Sequence, residues 1–192
     1  MHSFLFPLVF DRQSAIAWAQ AVLREHNVVF LDTETTGLDA QSEVIEIAVV
    51  DSQGNVLIDS LVRPTGQIPL AAATIHGIFD HHVAQAPPWV DLFPALASAC
   101  RNRVVVVYNA GYDSRLIHQS CLLAGVDPPA SIFQCAMQAY AHFYAGCSGR
   151  RRPKYQRLET AARAFSLEIP NHRALGDALT CLGVVQGMAT AT

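Results

Sequence analysis

A chain of 192 residues, half of them hydrophobic and only 15% charged, is long enough to bury one core and too apolar to be a disordered segment. A net charge of −3 and a pI near 6.2 argue against a broadly basic nucleic-acid binder, leaving room for a local basic patch or an acidic site neutralised by cations. Five scattered cysteines without CxxC spacing read as reduced thiols of a cytosolic (cytoplasmic) protein, not as a zinc site or disulfide framework.

The apolar opening, residues 3–10, lacks a basic flank and runs at once into Asp11 and Arg12, so it reads as a packing segment and not a signal peptide. No stretch approaches the ~20 apolar residues of a membrane span. Residues 14–26 place apolar groups at helical spacing with Ser14 as the expected N-cap. Residues 1–26 are expected to form one unit with the main domain at 27–192. The apolar run 28–31 predicts a buried central strand, 44–50 a second, and 56–62 a third returning antiparallel after the turn at 52–55. A short helix over 69–76 should stop at Gly77. Pro87 and Pro88 open a helix reaching about 101, with Pro94 as a kink or a late start. Then follow a strand at 104–107, a helix at 112–124, a strand near 131–134 and a helix at 135–146. A polar, basic loop at 146–153 precedes helices at 156–166 and 173–189. The order implies an α/β fold: a mixed five-stranded sheet with helices on both faces, of the kind found in ribonuclease-H-like architectures.

Asp32 and Glu34 follow the first strand two residues apart, a spacing that turns both carboxylates to one face. Two carboxylates side by side on a central strand repel each other and lose hydration, so fold stability gives no reason for them unless a hard divalent cation is held there; the bland alternative places both in solvated loop. Asp113 follows the second buried strand, and loops at the carboxyl ends of strands converge on one crevice. It could equally cap the next helix. Asn171 is the expected N-cap of the last helix, with His172 at its start and Asp177 in its second turn. Each motif alone is weak, whereas four acidic residues and a histidine at element ends form a pattern.

Residues 31–38 (LDTETTGL), 109–113 (NAGYD) and 172–177 (HRALGD) together resemble the three ordered motifs of the DEDDh exonucleases, a group that includes polymerase III proofreading subunits, ribonuclease T and oligoribonuclease. The resemblance spans about residues 28–187. It implies a 3′–5′ exonuclease that uses two Mg²⁺ or Mn²⁺ ions, held by Asp32, Glu34, Asp113 and Asp177, with His172 as general base. It also implies substrate contacts from Thr33, Thr35, Leu38, His76, Asn109 and Tyr112. The second motif of the family often begins His-Asn, whereas Tyr108 precedes Asn109 here. The implied partner is the 3′ end of DNA, with single-stranded ends preferred. RNA 3′-end trimming is the enzymatic alternative, and an inactive nucleic-acid-binding or polymerase-associated module the non-enzymatic one. A polymerase partner fits the apolar N-terminus or last helix, although the short C-terminus disfavours a dedicated proofreading subunit. Arg150, Arg151, Arg152, Lys154 and Arg157 form either a phosphate-tracking patch or a solvated loop. His81 and His82 read as incidental surface histidines rather than metal ligands.

Overall fold

Continuous runs of Val, Ile, Leu and Phe build the centre of the sheet in the computed structural model, which describes residues 6–148 and 153–191. Strands β1 (Val28–Thr35), β2 (Val44–Asp51), β3 (Val56–Leu61), β4 (Val104–Val107) and β5 (Ile132–Cys135) pair in the order β3-β2-β1-β4-β5. β2 runs antiparallel to β1 and β3, while β4 runs parallel to β1 and β5. All four β4 valines are fully buried, as expected of a strand covered on both faces.

The two-residue period of β1 sorts its side chains. Val28 and Phe30 pack beneath helices α1 (Arg12–Arg24), α6 (Ala136–Ser148) and α8 (Ala174–Thr190). Val29 and Leu31 enter the opposite layer, under α4 (Trp89–Cys100) and α5 (Ala110–Leu123). Burial of side chains of this size contributes about 1.5–3 kcal/mol each. The short helices α2 (Leu70–His76) and α3 (Asp80–Val83) cover a satellite cluster around Ile45, Ile68, Ile78 and Val83. Helix α7 (Leu158–Ala164) packs on α8. Phe6 and Val9 of the apolar opening lie against the main core. Among the described residues, no helix is long and apolar enough to cross a membrane.

Several local expectations change. Asp11, not Ser14, caps α1: Ser14 is the third helical residue, and the two form a reciprocal capping box in which Ser14 N–H donates to Asp11 at 2.7 Å. α4 runs through Pro94 from Trp89 without a late start. Gly77 does end α2, at φ 71°, a left-handed conformation that costs glycine nothing. Strand β1 extends to Thr35, four residues past its apolar run, because β2 continues to pair alongside it, matching Asp32 with Ala48 and Glu34 with Glu46. The loop alternative for the two carboxylates is thereby excluded. Of the five cysteines, Cys100, Cys121 and Cys181 are buried free thiols and Cys135 is a half-buried one.

Candidate active site

On its other edge, β1 pairs with β4 only through Phe30. The segment carrying Asp32, Thr33 and Glu34 therefore overhangs β4 with an open edge. Helix α5 begins there, with Asn109 at its N-cap position, and its first turn delivers Asp113. The crevice lies at the carboxyl ends of the parallel strands β1 and β4, the usual place for a site in open α/β folds.

Asp32 and Glu34 share a face with Phe30, beneath the start of α8, where Asp177 stands in the first turn. Asn171 is not the cap of α8. Arg173 occupies that position, so His172 precedes the helix, at φ 55°. A left-handed conformation costs a non-glycine residue about 1–2 kcal/mol. The fold holds it there because the flanking Arg173 is clamped: its guanidinium donates twice to the buried Glu46, through Nε at 3.0 Å and through Nη2, and the Ala174 N–H donates to Glu46 Oε2 at 2.9 Å. One carboxylate thus supplies both an ion pair and the missing helix cap.

The resulting cleft has a volume of about 640 Å³ and is lined by Asp32, Thr33, Glu34, Asn109, Tyr112, Asp113, His172 and Asp177 among others. Ligand atoms of Glu34, His172 and Asp177 lie within 4.8 Å of one another. Burial, reinforced by the neighbouring carboxylates, raises Asp32 well above the usual aspartate range. Burial, with Asp177 and Glu46 nearby, lifts Glu34 to about 8. Asp113 is raised by burial to about 7, although the Thr33 hydroxyl donates to it at 2.8 Å and opposes the shift. Burial takes Asp177 to about 6, moderated by His172. One oxygen of Asp177 is buried without a partner. Four carboxyls made reluctant to ionise by burial and mutual repulsion, one with an orphaned oxygen, fit hard divalent cations.

The other expected contacts divide. Thr33 lines the cleft through a buried side chain whose hydroxyl is committed to Asp113. Thr35 is buried, its hydroxyl 2.6 Å from that of Tyr112, and both reach the Gly37 carbonyl. Leu38 is 77% exposed. His76 is buried, with Nδ1 accepting the Ile78 N–H at 3.0 Å, and its helix neighbour Ile75 lines the cleft instead. Tyr108, the departure from the family pattern, is buried and donates its hydroxyl to the Gln156 carbonyl at 3.0 Å, tying down the cleft wall. Arg157 immediately precedes α7 and lines the cleft, and Lys154 is exposed, while Arg150, Arg151 and Arg152 lie outside the described residues.

Two acidic residues escaped the sequence reading. Glu46 did leave a signal, a lone carboxylate inside the apolar strand 44–50. Glu159 left none: α7 brings it to the cleft wall, with Oε1 3.7 Å from His172 Nε2.

A mixed five-stranded sheet with helices on both faces, and with carboxylates gathered at the end of the central strand, defines a ribonuclease-H-like architecture with an acidic cleft. Comparison with known proteins narrows this: residues 29–185 match the RNase T exonuclease family, and the chain belongs to that family. An uncharacterized exonuclease, CP81, of Escherichia phage 186 is 40% identical over 174 residues, covering 86% of this chain and 89% of that protein. The DNA polymerase III epsilon subunit of Treponema pallidum is 29% identical over 170 residues, covering 86% and 77%. Exonuclease X, solved in complex with 5′-overhanging duplex DNA, superposes with a TM-score of 0.62 at 26% identity, covering 85% and 92%.

Proposed function

We propose that this exonuclease family member is a divalent-metal-dependent 3′–5′ exonuclease. It removes nucleoside 5′-monophosphates from DNA 3′ ends and prefers single-stranded ends. The observation that carries the reading is the convergence of Asp32, Glu34, Asp113 and Asp177 with His172 on one cleft. Asp32, Glu34, Asp113 and Asp177 would hold two Mg²⁺ or Mn²⁺ ions, which when bound acidify the attacking water and stabilise the departing oxygen.

His172 stands at the cleft rim with Glu159 behind its Nε2, positioned to accept the proton that water loses on attacking the terminal phosphorus. The P–O3′ bond to the penultimate nucleotide then breaks, leaving a new 3′ hydroxyl and a 5′-monophosphate. Tyr112 and Ile75 flank the acidic cluster and provide apolar surface for the terminal nucleoside. DNA as the substrate is supported by the relationship to a polymerase III subunit and to exonuclease X in its DNA complex. The first of these also makes a polymerase the protein partner to test.

The experiment uses 5′-labelled single-stranded DNA and RNA of one sequence with Mg²⁺, Mn²⁺ or EDTA, beside Asp32→Ala. A descending DNA ladder that needs metal and vanishes in the variant is the expected result. A ladder on RNA alone moves the substrate to RNA. Labelled mononucleotide released from the 5′ end overturns the polarity.

A further inference from the structure

Phe79, His81 and His82 form an exposed aromatic cluster outside the buried core clusters. Phe79 occupies the N-cap of α3, where Ser, Thr, Asp or Asn would satisfy a free amide, and its side chain caps nothing. It is still 40% exposed. At this one position the sequence forgoes a polar N-cap side chain and the burial of a large apolar ring, the kind of local inconsistency that marks function. The rings are ordered against one another: Phe79 stacks on His81 with centroids 6.0 Å apart and planes 13° from parallel, and His82 meets Phe79 edge-on at 5.9 Å. His82 Nδ1 also accepts the Phe79 N–H at 3.0 Å.

The platform is fixed to the sheet. Ile78 and Val83 on either side are buried against Ile45 of β2. Asp80, the one acid within residues 78–83, turns its carboxylate to the Ile68 N–H at 2.8 Å, so it is engaged with the protein backbone. Ile75, four residues before Phe79, is 61% exposed and lines the cleft. Four residues reach at most ~14 Å, a distance a strand covers in a few nucleotides.

We propose that Phe79 and His81 are a base-stacking platform for single-stranded nucleic acid, engaging bases a few nucleotides upstream of the 3′ end held in the cleft. The proposal rests on the exonuclease reading above. Aromatic faces bind any base, so the platform adds affinity and grip on the strand without sequence preference.

The test compares two substrates, a single-stranded DNA 12-mer and the p-nitrophenyl ester of thymidine 5′-monophosphate, which offers one nucleotide and reaches only the cleft. In Phe79→Ala the ratio of the 12-mer KM to the ester KM rises roughly tenfold, and in Phe79→Trp it returns toward wild type. Adding His81→Ala to Phe79→Ala raises it further. A wild-type ratio in Phe79→Ala overturns the platform and leaves the rings to a protein partner. A raised ratio that Phe79→Trp fails to restore also overturns it. If the wild-type protein cleaves neither substrate, the exonuclease reading fails by itself. The platform is then decided by binding of fluorescein-labelled oligothymidylate: weaker binding by Phe79→Ala supports it, and equal affinity overturns it.

Discussion

Glu46 and Arg173, 127 residues apart in the chain, form a clamp that joins the sheet to the start of α8. Glu46 lies beside Glu34 in the β1–β2 register, and Arg173 is the residue between His172 and the helix that carries Asp177. The position of His172 beside Glu34 and Asp177 thus depends on a pair that is not part of the cleft lining. In Arg173→Ala the carboxylate of Glu46, only 3% exposed in the parent, loses its main partner. A loss of about 1–3 kcal/mol is expected, together with a lower kcat. Arg173→Lys keeps the charge without the fork and should fall between. Thermal melts and steady-state rates of the three proteins measure this, and an unchanged melt for Arg173→Ala would show that the clamp contributes nothing.

Removal of the imidazole tests the proton-accepting role. His172→Ala should lower kcat by ~10²–10⁴ while the circular dichroism spectrum stays that of the parent. A variant turning over at the parental rate would remove His172 from the mechanism.

Thr33→Val keeps the shape and the β-branching of a strand residue but deletes the hydroxyl that donates to Asp113. That donor opposes the effect of burial on Asp113, whose carboxyl stands at about 7 with the bond in place. Without it Asp113 shifts further up and is protonated more often at neutral pH. Activity at pH 7 should fall ~5-fold and recover substantially by pH 9. Rates across the Mg²⁺ concentration series at the two pH values check this; an equal loss at both would mean the bond serves only packing.

The acidic cluster also links stability to pH and metal. Glu34 at about 8, Asp113 at about 7 and Asp177 at about 6 all lie above the ~4 of an unfolded chain. Carboxyls raised on folding make the native state bind more protons than the unfolded one. Stability from this source is therefore present below pH ~4 and is lost as pH rises through 6 to 8. The EDTA-treated protein should melt lower at pH 8 than at pH 6, and Mg²⁺ or Mn²⁺ should raise the melting temperature more at pH 8. Each 1 kcal/mol corresponds to about 2–4 °C for a chain of this size. Asp32→Asn should stabilise the EDTA-treated protein at pH 8. A metal-free melt that rises over this interval would contradict the assignment of these shifts.

The order of elements was legible because periodicity and breakers act locally. The valine run 104–107, Gly77 and the Pro87-Pro88 pair each announce their structure within a few residues. The carboxylates were legible for a related reason: Asp32 and Glu34 interrupt a strand pattern where apolar residues are the stable choice, so their presence signals chemistry. Three-dimensional packing decided the rest. The length of β1 came from pairing with β2, since Asp32 and Glu34 are poor strand formers that offset the β-branched Thr33 and Thr35. The left-handed turn at His172 and the cap of α8 came from Glu46, which meets them only after the sheet has formed. Burial of His76, the engagement of Thr33 by Asp113 and the approach of Glu159 to His172 likewise join residues distant in the chain. Sequence alone determined which residue types gather at the strand ends, since hydrophobic patterning and charge placement are local properties. Tertiary structure decided which of them touch, since burial and long-range hydrogen bonds exist only once the layers are packed.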